Sequence, residues 1–275
     1  MTAGRPSKEF HQYLIGSRAS HISHDEYNMS PATAFLRYCV EAKSAIDLCI
    51  RHFPKNQNDE YTKDSSDSLQ HLVIASLPTI MGHFETYQRA LFAGMFDMSV
   101  YWQKFDVEKF FKDLAKESTV SIDLVRLSAY RGIGSKSIGT LLADSITGWH
   151  DPKKANGYFS AFGLKFTAFG NDEIEKLRVL WQLRHSIVHT GGTLTLSDAQ
   201  KVLNLSAHAG KQIAFENNFM FEVARKLHPI VKQTTTGLGK AFKQRLLPTT
   251  SEAEKEKINR FFEVKSSVSS WLRAD

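Results

Sequence analysis

The stretch LRVLWQLRHSIVHTGG, which runs from Leu177 to Gly192, decides how the rest of this chain can fold. Its apolar side chains recur at the three- and four-residue spacing of one helix face, which predicts a mostly buried amphipathic helix. These side chains are Leu177, Leu180, Trp181, Leu183, Ile187 and Val188. The two glycines that close the stretch predict the end of the helix, because glycine readily adopts the left-handed conformation of helix C-termini.

Three basic side chains, Arg184, His185 and His189, interrupt this apolar surface. Burying them without partners would cost free energy, so the pattern indicates either structural partners or a function. The two histidines share one helix face, whereas Arg184 lies five positions before His189, about 140° away around an ideal helix. His189 falls in the predicted last turn, where the partial negative charge of the helix end favours a protonated imidazole. Two copies of the helix meeting across a two-fold axis would line one cleft with two arginines and two histidines.

The order Arg184-His185-Ser186-Ile187-Val188-His189 resembles the Arg-polar-x-x-x-His motif of the HEPN superfamily, many members of which are metal-independent ribonucleases. The surroundings are similar too, with the VHTGG ending and a polar connection that contains Gly210-Lys211-Gln212-Ile213. An earlier segment, His83-Phe84-Glu85-Thr86-Tyr87, looks like the first helix of prokaryotic members of the RiboL-PSP-associated type. The resemblance covers roughly residues 69–243, and its specific part is Arg184 to Gly192. Many members carry Asn after the Arg, where this chain has His185.

The resemblance implies an endoribonuclease without cofactor or metal, which cleaves RNA through the RNA's own 2′-hydroxyl and leaves 2′,3′-cyclic phosphate ends. Imidazoles suit the two proton transfers of that reaction, and a guanidinium suits the charge that develops on the phosphate oxygens. His189 is then the general acid or base, Arg184 binds the phosphate, and His185 orients the RNA or His189. The resemblance also implies a homodimer through the Arg184–His189 helix and a role as a toxin or antiviral effector whose activity is restrained until needed. A protein partner that neutralises or activates the enzyme would control this activity.

Two other interpretations of the same residues stay open. In the first, the basic cleft belongs to a non-catalytic HEPN-like module that holds a nucleotide, RNA or a partner protein. In the second, the residues are structural: Arg184 pairs with a core carboxylate, and the two histidines bond the carbonyls of the helix end. Glu85 is likewise either a partner of the basic groups of this helix or a solvated or capping carboxylate.

The segment RGIGSKSIG, Arg131 to Gly139, offers a separate hypothesis. It lacks the spacing of a phosphate-binding P-loop, but it resembles the Gly-apolar-Gly hairpin of helix-hairpin-helix modules, in which amides at a helix start bind phosphate. Lys136 is therefore a candidate substrate-binding residue, and DNA binding through this hairpin is a further possible function. The alternative is a tight turn between two packed helices.

Composition limits the class of protein without naming a function. The chain has 275 residues, 42% of them hydrophobic, and a formal net charge of +6, which is ordinary for a globular protein and compatible with a nucleic-acid partner. Cys39 and Cys49 are ten positions apart on one predicted helix, about 15 Å along its axis, which excludes a disulfide between them. No secretion signal and no membrane span are evident, so we expect a cytoplasmic protein with reduced thiols.

The remaining periodic segments predict an all-α fold, an antiparallel helical bundle with additional N- and C-terminal helices and at most a minor β-hairpin. The resemblance implies that this bundle is HEPN-like. Helices are expected over about 31–53 after Ser30-Pro31, over about 69–97, from near Asp106, and from Ser251 with a capping box. Trp149 to Gly170 is expected to be a packed connection rather than a regular element. We predict an irregular N-terminal arm over residues 1–29, a helical domain over 30–248 and a C-terminal helix over 249–275 that packs on the body or on a partner.

Overall fold

The computed structural model describes residues 23–118 and 137–266. Within them, regular structure consists of helices, with β-pairing confined to isolated bridges, so the all-α prediction is confirmed. The helices are α1 His24–Met29, α2 Pro31–His52, α3 Lys63–Met98, α4 Val107–Glu117, α5 Ile138–Ser145, α6 Pro152–Ser160, α7 Asn171–His189, α8 Leu196–Gln200, α9 Phe219–Lys243 and α10 Glu252–Phe261. Two 3₁₀ turns span Ser99–Tyr101 and Leu203–His208.

Helix α3 is the element around which the others pack. It contacts α2, α5, α7 and α9, and its side chains at three- and four-residue spacing are buried. Among the most buried are Leu77, Ile80, Phe84, Tyr87 and Leu91, none more than 1% exposed. The helix continues through Pro78.

The start of α3 differs from the predicted one by six residues. Thr62 caps the helix, its Oγ1 accepting the Ser65 amide at 3.3 Å, so the first turn lies before the predicted start at about residue 69. Apolar periodicity begins only at Leu69, which is why the sequence pattern placed the start there.

The prediction of an irregular arm was wrong over its last six described residues. Positions 24–29 form α1, and Tyr27 buries its ring at 2% exposure while its hydroxyl bonds His83 Nδ1 at 2.8 Å. One anchoring aromatic is too little to produce a periodic pattern. The predicted connection from 149 to 170 likewise contains a regular element, α6, which Asp151 caps by accepting the Lys153 amide at 2.9 Å.

The C-terminal helix packs on the body of the same chain. Ser251 and Glu254 form the predicted capping box, and Ile258 and Phe261 are buried. The ring of Phe261 lies against Gly94, whose missing side chain leaves the space it fills. No helix in the described ranges is both long enough and apolar enough to span a membrane.

Candidate active site

Helix α7 carries the three basic side chains at the end that reaches the surface. Its buried face packs on α3, and Ser186, between the histidines, is fully buried. Arg184 is half-buried, the side chain of His185 is 46% exposed, and His189 is exposed. Both histidines predicted to act in the site therefore reach solvent, whereas Arg184 is only partly exposed.

The two imidazoles contact each other. Their ring centroids are 4.7 Å apart with an interplanar angle of 42°, as their four-residue separation on a helix dictates. Arg184 precedes them, and its buried Nε has no hydrogen-bond acceptor among the described residues. The buried Nε is itself out of reach of a ligand. The terminal nitrogens of this half-buried side chain bond no described residue, so they are the donors available to a phosphate.

The end of α7 is closed without help from the histidines. The carbonyl of Ser186 accepts the amides of Thr190 and Gly192, both at 3.1 Å, and the hydroxyl of Thr190 at 2.8 Å. Gly191 and Gly192 have φ angles of 61° and 78°, the left-handed conformation expected from the sequence. The structural interpretation, in which the histidines bond helix-end carbonyls and Arg184 pairs with a core carboxylate, is not what the described residues form.

After the two glycines the chain folds back over α7. The predicted minor hairpin is reduced to a single bridge between Thr193 and Gln212, flanked by the Leu194 amide donating to Lys211 O at 3.0 Å. Thr195 then caps α8, its Oγ1 accepting the Asp198 amide at 3.1 Å. This return places the side chain of Asp198 against the middle of the basic motif.

Asp198 is a buried carboxylate, 4% exposed, that contacts the motif with both oxygens. Oδ1 accepts Lys201 Nζ at 2.8 Å and lies 3.9 Å from His185 Nε2, and Oδ2 accepts the hydroxyl of Ser186 at 3.4 Å. The hydrogen bond from Lys201 holds the pKa of Asp198 below its ordinary value, so this group is ionised at neutral pH.

His185 has a lowered pKa. Its partial burial is the main cause; Asp198 opposes the shift, and the positive charges of His189, Lys201 and Arg184 add to it. His185 is therefore mostly neutral at pH 7 and able to accept a proton.

The other predicted residues do not join this cluster. Glu85 pairs with Arg89 on its own helix at 2.6 Å, and Arg89 also contacts Asp144 at 3.3 Å. Glu85 is thus not a partner of the α7 motif, and the reason is local, since a basic residue four positions on competes for it.

Lys136, the candidate substrate-binding residue, and the hairpin before it lie outside the described residues. The start of α5 that follows is described, and its amides already have acceptors: Gly139 N donates to Asp97 Oδ1 at 2.9 Å and Thr140 N to Ser137 Oγ at 3.0 Å. A phosphate at these two amides would have to displace both acceptors.

Asp198 is the residue that sequence reasoning missed. The pattern Thr195-Leu196-Ser197-Asp198 carries the Ser/Thr-x-x-Asp/Glu signature of a helix start, and that signal would have revealed α8. The alternating Thr and Leu residues from Thr193 onward favour an extended link instead. Residue spacing along α7 also cannot predict that a carboxylate on α8 lies against it.

In the stretches 23–118 and 137–266, no three His, Cys, Asp or Glu side chains come together as a metal-binding group. Comparisons of the chain with protein-family models, with curated proteins and with solved structures find no match.

Proposed function

We propose that this protein is an endoribonuclease of the HEPN type, cleaving RNA at the solvent-facing end of α7. The observation that carries the proposal is the cluster itself: two contacting, solvent-accessible imidazoles preceded on the same helix by an arginine that forms no ion pair with the described residues. Cationic donors that bind a phosphate and imidazoles that move protons are the groups that phosphodiester cleavage needs.

The reaction uses the nucleophile that RNA already contains. One imidazole removes the proton of the 2′-hydroxyl, whose oxygen attacks the adjacent phosphorus and forms a P–O bond. The bond to the 5′-oxygen breaks, and that oxygen takes a proton from the second imidazole. The products are a 2′,3′-cyclic phosphate and a 5′-hydroxyl, and no water or metal is consumed. Arg184 binds the non-bridging oxygens as negative charge builds on them.

A homodimer through the exposed end of α7 belongs to the same proposal. A single helix end offers one guanidinium, whereas two copies related by a two-fold axis would surround the phosphate with cations. Val188, an apolar side chain that is 47% exposed in the last turn, is available for such a contact. We further propose an antiparallel HEPN-like bundle, a cytoplasmic setting, and a toxin or antiviral defence role held in check by a protein partner.

The test is incubation of the purified chain with end-labelled single-stranded RNA in excess EDTA, comparing wild type with Arg184→Ala and His189→Ala. We expect each substitution to lower the cleavage rate about 100-fold or more, since each removes charge stabilisation or a proton transfer. Circular dichroism and gel filtration of the same samples establish that folding and assembly persist.

Two matched substitutions serve as controls. Arg225→Ala removes an exposed arginine that pairs with Glu222 on α9, and His71→Ala removes an exposed histidine on α3. Both should cleave like wild type. Equal cleavage by all five proteins would indicate a contaminating nuclease, and RNA binding by wild type without any cleavage would favour the non-catalytic binding module.

A further inference from the structure

We infer that Asp198 is a positioning residue that makes His185 the proton acceptor of the site, leaving His189 to protonate the leaving oxygen. This inference rests on the proposed ribonuclease function, to which it adds the direction of proton transfer. The observation behind it is the position of Asp198 on α8. Its carboxylate is buried rather than exposed to solvent, and it faces the imidazole of His185.

The contacts fix which side of the imidazole faces the carboxylate. His185 Nε2 is the nitrogen 3.9 Å from Asp198 Oδ1, which is one ångström or so longer than a hydrogen bond. When Nε2 carries the hydrogen and points at Asp198, Nδ1 keeps a lone pair for an incoming proton. A carboxylate behind an imidazole selects the tautomer and stabilises the imidazolium once it forms.

The carboxylate is itself held in place. Its other oxygen accepts the Ser186 hydroxyl at 3.4 Å, and the Thr195 cap fixes its backbone at the start of α8. Because Asp198 is buried and ionised, it presents a fixed negative charge near His185, and this charge favours a proton on that ring.

The charged groups that face His185 divide into two sets. Arg184 and His189 on α7 and Lys201 just after α8 disfavour a positive charge on the ring, whereas Asp198 favours one. His185 is consequently neutral before the reaction and has a counter-ion ready after it. In the proposed step, the 2′-hydroxyl proton moves to His185 Nδ1 and the 2′-oxygen forms a bond to phosphorus. The P–O bond to the 5′-oxygen breaks, and His189 supplies the proton that this oxygen takes.

Substituting Lys201 should shift the titration of His185 in the direction opposite to that caused by substituting Asp198. Its ammonium occupies the same Asp198 oxygen that faces His185, at 2.8 Å, and it also repels a protonated ring. Removing Lys201 therefore strengthens the influence of Asp198 on His185, and removing the charge of Asp198 abolishes it. A merely structural role for either residue would not predict shifts in opposite directions.

The experiment is an NMR titration of the His185 ring in the RNA-free protein, comparing wild type with Asp198→Asn and Lys201→Gln. We expect the midpoint to move to lower pH in Asp198→Asn, because the stabilising charge is lost, and to higher pH in Lys201→Gln. The matched controls are Asp113→Asn and Lys116→Gln on α4, which alter another Asp–Lys pair three residues apart, joined at 2.6 Å. These should leave the His185 midpoint unchanged.

A second readout is the pH dependence of RNA cleavage. A base must be deprotonated to act, so the acidic limb of the rate profile should follow the His185 midpoint, downward in Asp198→Asn and upward in Lys201→Gln. The plateau rate of Asp198→Asn should also fall about tenfold or more, since its imidazolium lacks a counter-ion.

The possible results distinguish the role of Asp198 from the proposed ribonuclease function. A His185 midpoint that does not move in either variant overturns the role of Asp198, even if the protein cleaves RNA. Shifted midpoints in a protein that never cleaves RNA support the Asp198–His185 contact and refute the ribonuclease. Should Asp198→Asn fail to fold, Asp198→Ser takes its place, because it removes the same charge with a smaller polar side chain. Lys201→Gln cannot decide alone, since it also removes a charge that repels the His185 imidazolium directly.

Discussion

For Arg184, a structural role and a functional role predict different effects of an alanine substitution on the free energy of unfolding. Its buried Nε lacks an acceptor in the part of the chain that the structure describes, so the folded state gains little from its charge. We expect Arg184→Ala to change the free energy of unfolding by less than about 1 kcal/mol while cleavage is lost. Urea denaturation followed by circular dichroism measures this.

A loss of stability of about 3 kcal/mol or more in Arg184→Ala would contradict this assignment, since that is the cost of breaking a buried ion pair. Arg184→Lys extends the same test. It keeps the charge but not the planar fork of donors, so we expect it to fold like wild type and cleave poorly.

Spacing along one helix was sufficient to predict which basic residues meet. His185 and His189 are four positions apart, and any helix brings such a pair into contact, as the 4.7 Å centroid distance shows. The same reasoning could not predict the position of Asp198. Two left-handed glycines and a β-bridge set the path of the chain between α7 and α8, and tertiary contacts determine their geometry.

At the scale of elements, the contact between α3 and α5 depends on one glycine. A Cβ at Gly139 would lie 2.2 Å from the carbonyl oxygen of Ala93, a backbone atom that cannot give way. A Cβ at Gly82 would meet no atom of the described residues within 4 Å. We expect Gly139→Ala to cost about 1–3 kcal/mol through overpacking. Gly82→Ala, in the middle of α3, should instead stabilise by about 0.5–1 kcal/mol.

Thermal and urea denaturation of the two alanine variants measure both effects against wild type. Equal stability of the two would mean that α3 and α5 do not approach as closely as described. The close approach also explains why Gly139 ends the RGIGSKSIG segment: the described part of this motif serves helix packing.

Helix boundaries were predictable where a cap precedes an apolar stripe, and were missed elsewhere. The capping box at Ser251 and the cap at Asp106 both lie where expected. The first turn of α3 and the short helix α1 were missed because they expose mostly polar side chains, so no periodic pattern marks them. Helix α6 was missed although Ala155, Tyr158 and Phe159 are buried, since it is short and lies in a stretch rich in glycine and aromatic residues.

For the molecule as a whole, the dimer hypothesis predicts complementation between two inactive variants. If one cleft uses groups from both chains, a heterodimer of Arg184→Ala and His189→Ala retains one intact arginine and one intact histidine across the interface. We expect cleavage to recover partly when the two variants are mixed under conditions that allow subunit exchange. The measurement is the RNA cleavage rate of the mixture against each variant alone.

A mixture no more active than its components would contradict a shared cleft. It would leave each chain to work with its own Arg184 and His189.

The class of fold followed from local patterns, whereas its assembly did not. Helical periodicity and the lack of strand alternation are properties of short windows, and they predicted an all-α chain. The joining of the two ends of the described chain is a long-range property: Ser30 Oγ donates to Glu263 O at 3.0 Å, and neither residue carries a local signal for it.

Cleavage of a random-sequence single-stranded RNA in excess EDTA, beside the same pool fully 2′-O-methylated, tests the central claim most directly. The ribonuclease account predicts that wild type cuts only the unmodified pool, that every product bears a 2′,3′-cyclic phosphate or a 5′-hydroxyl, and that His189→Ala cuts neither. Cleavage of the methylated pool, or products ending in a 5′-phosphate, would contradict attack by the 2′-hydroxyl and with it the role assigned to the α7 cluster.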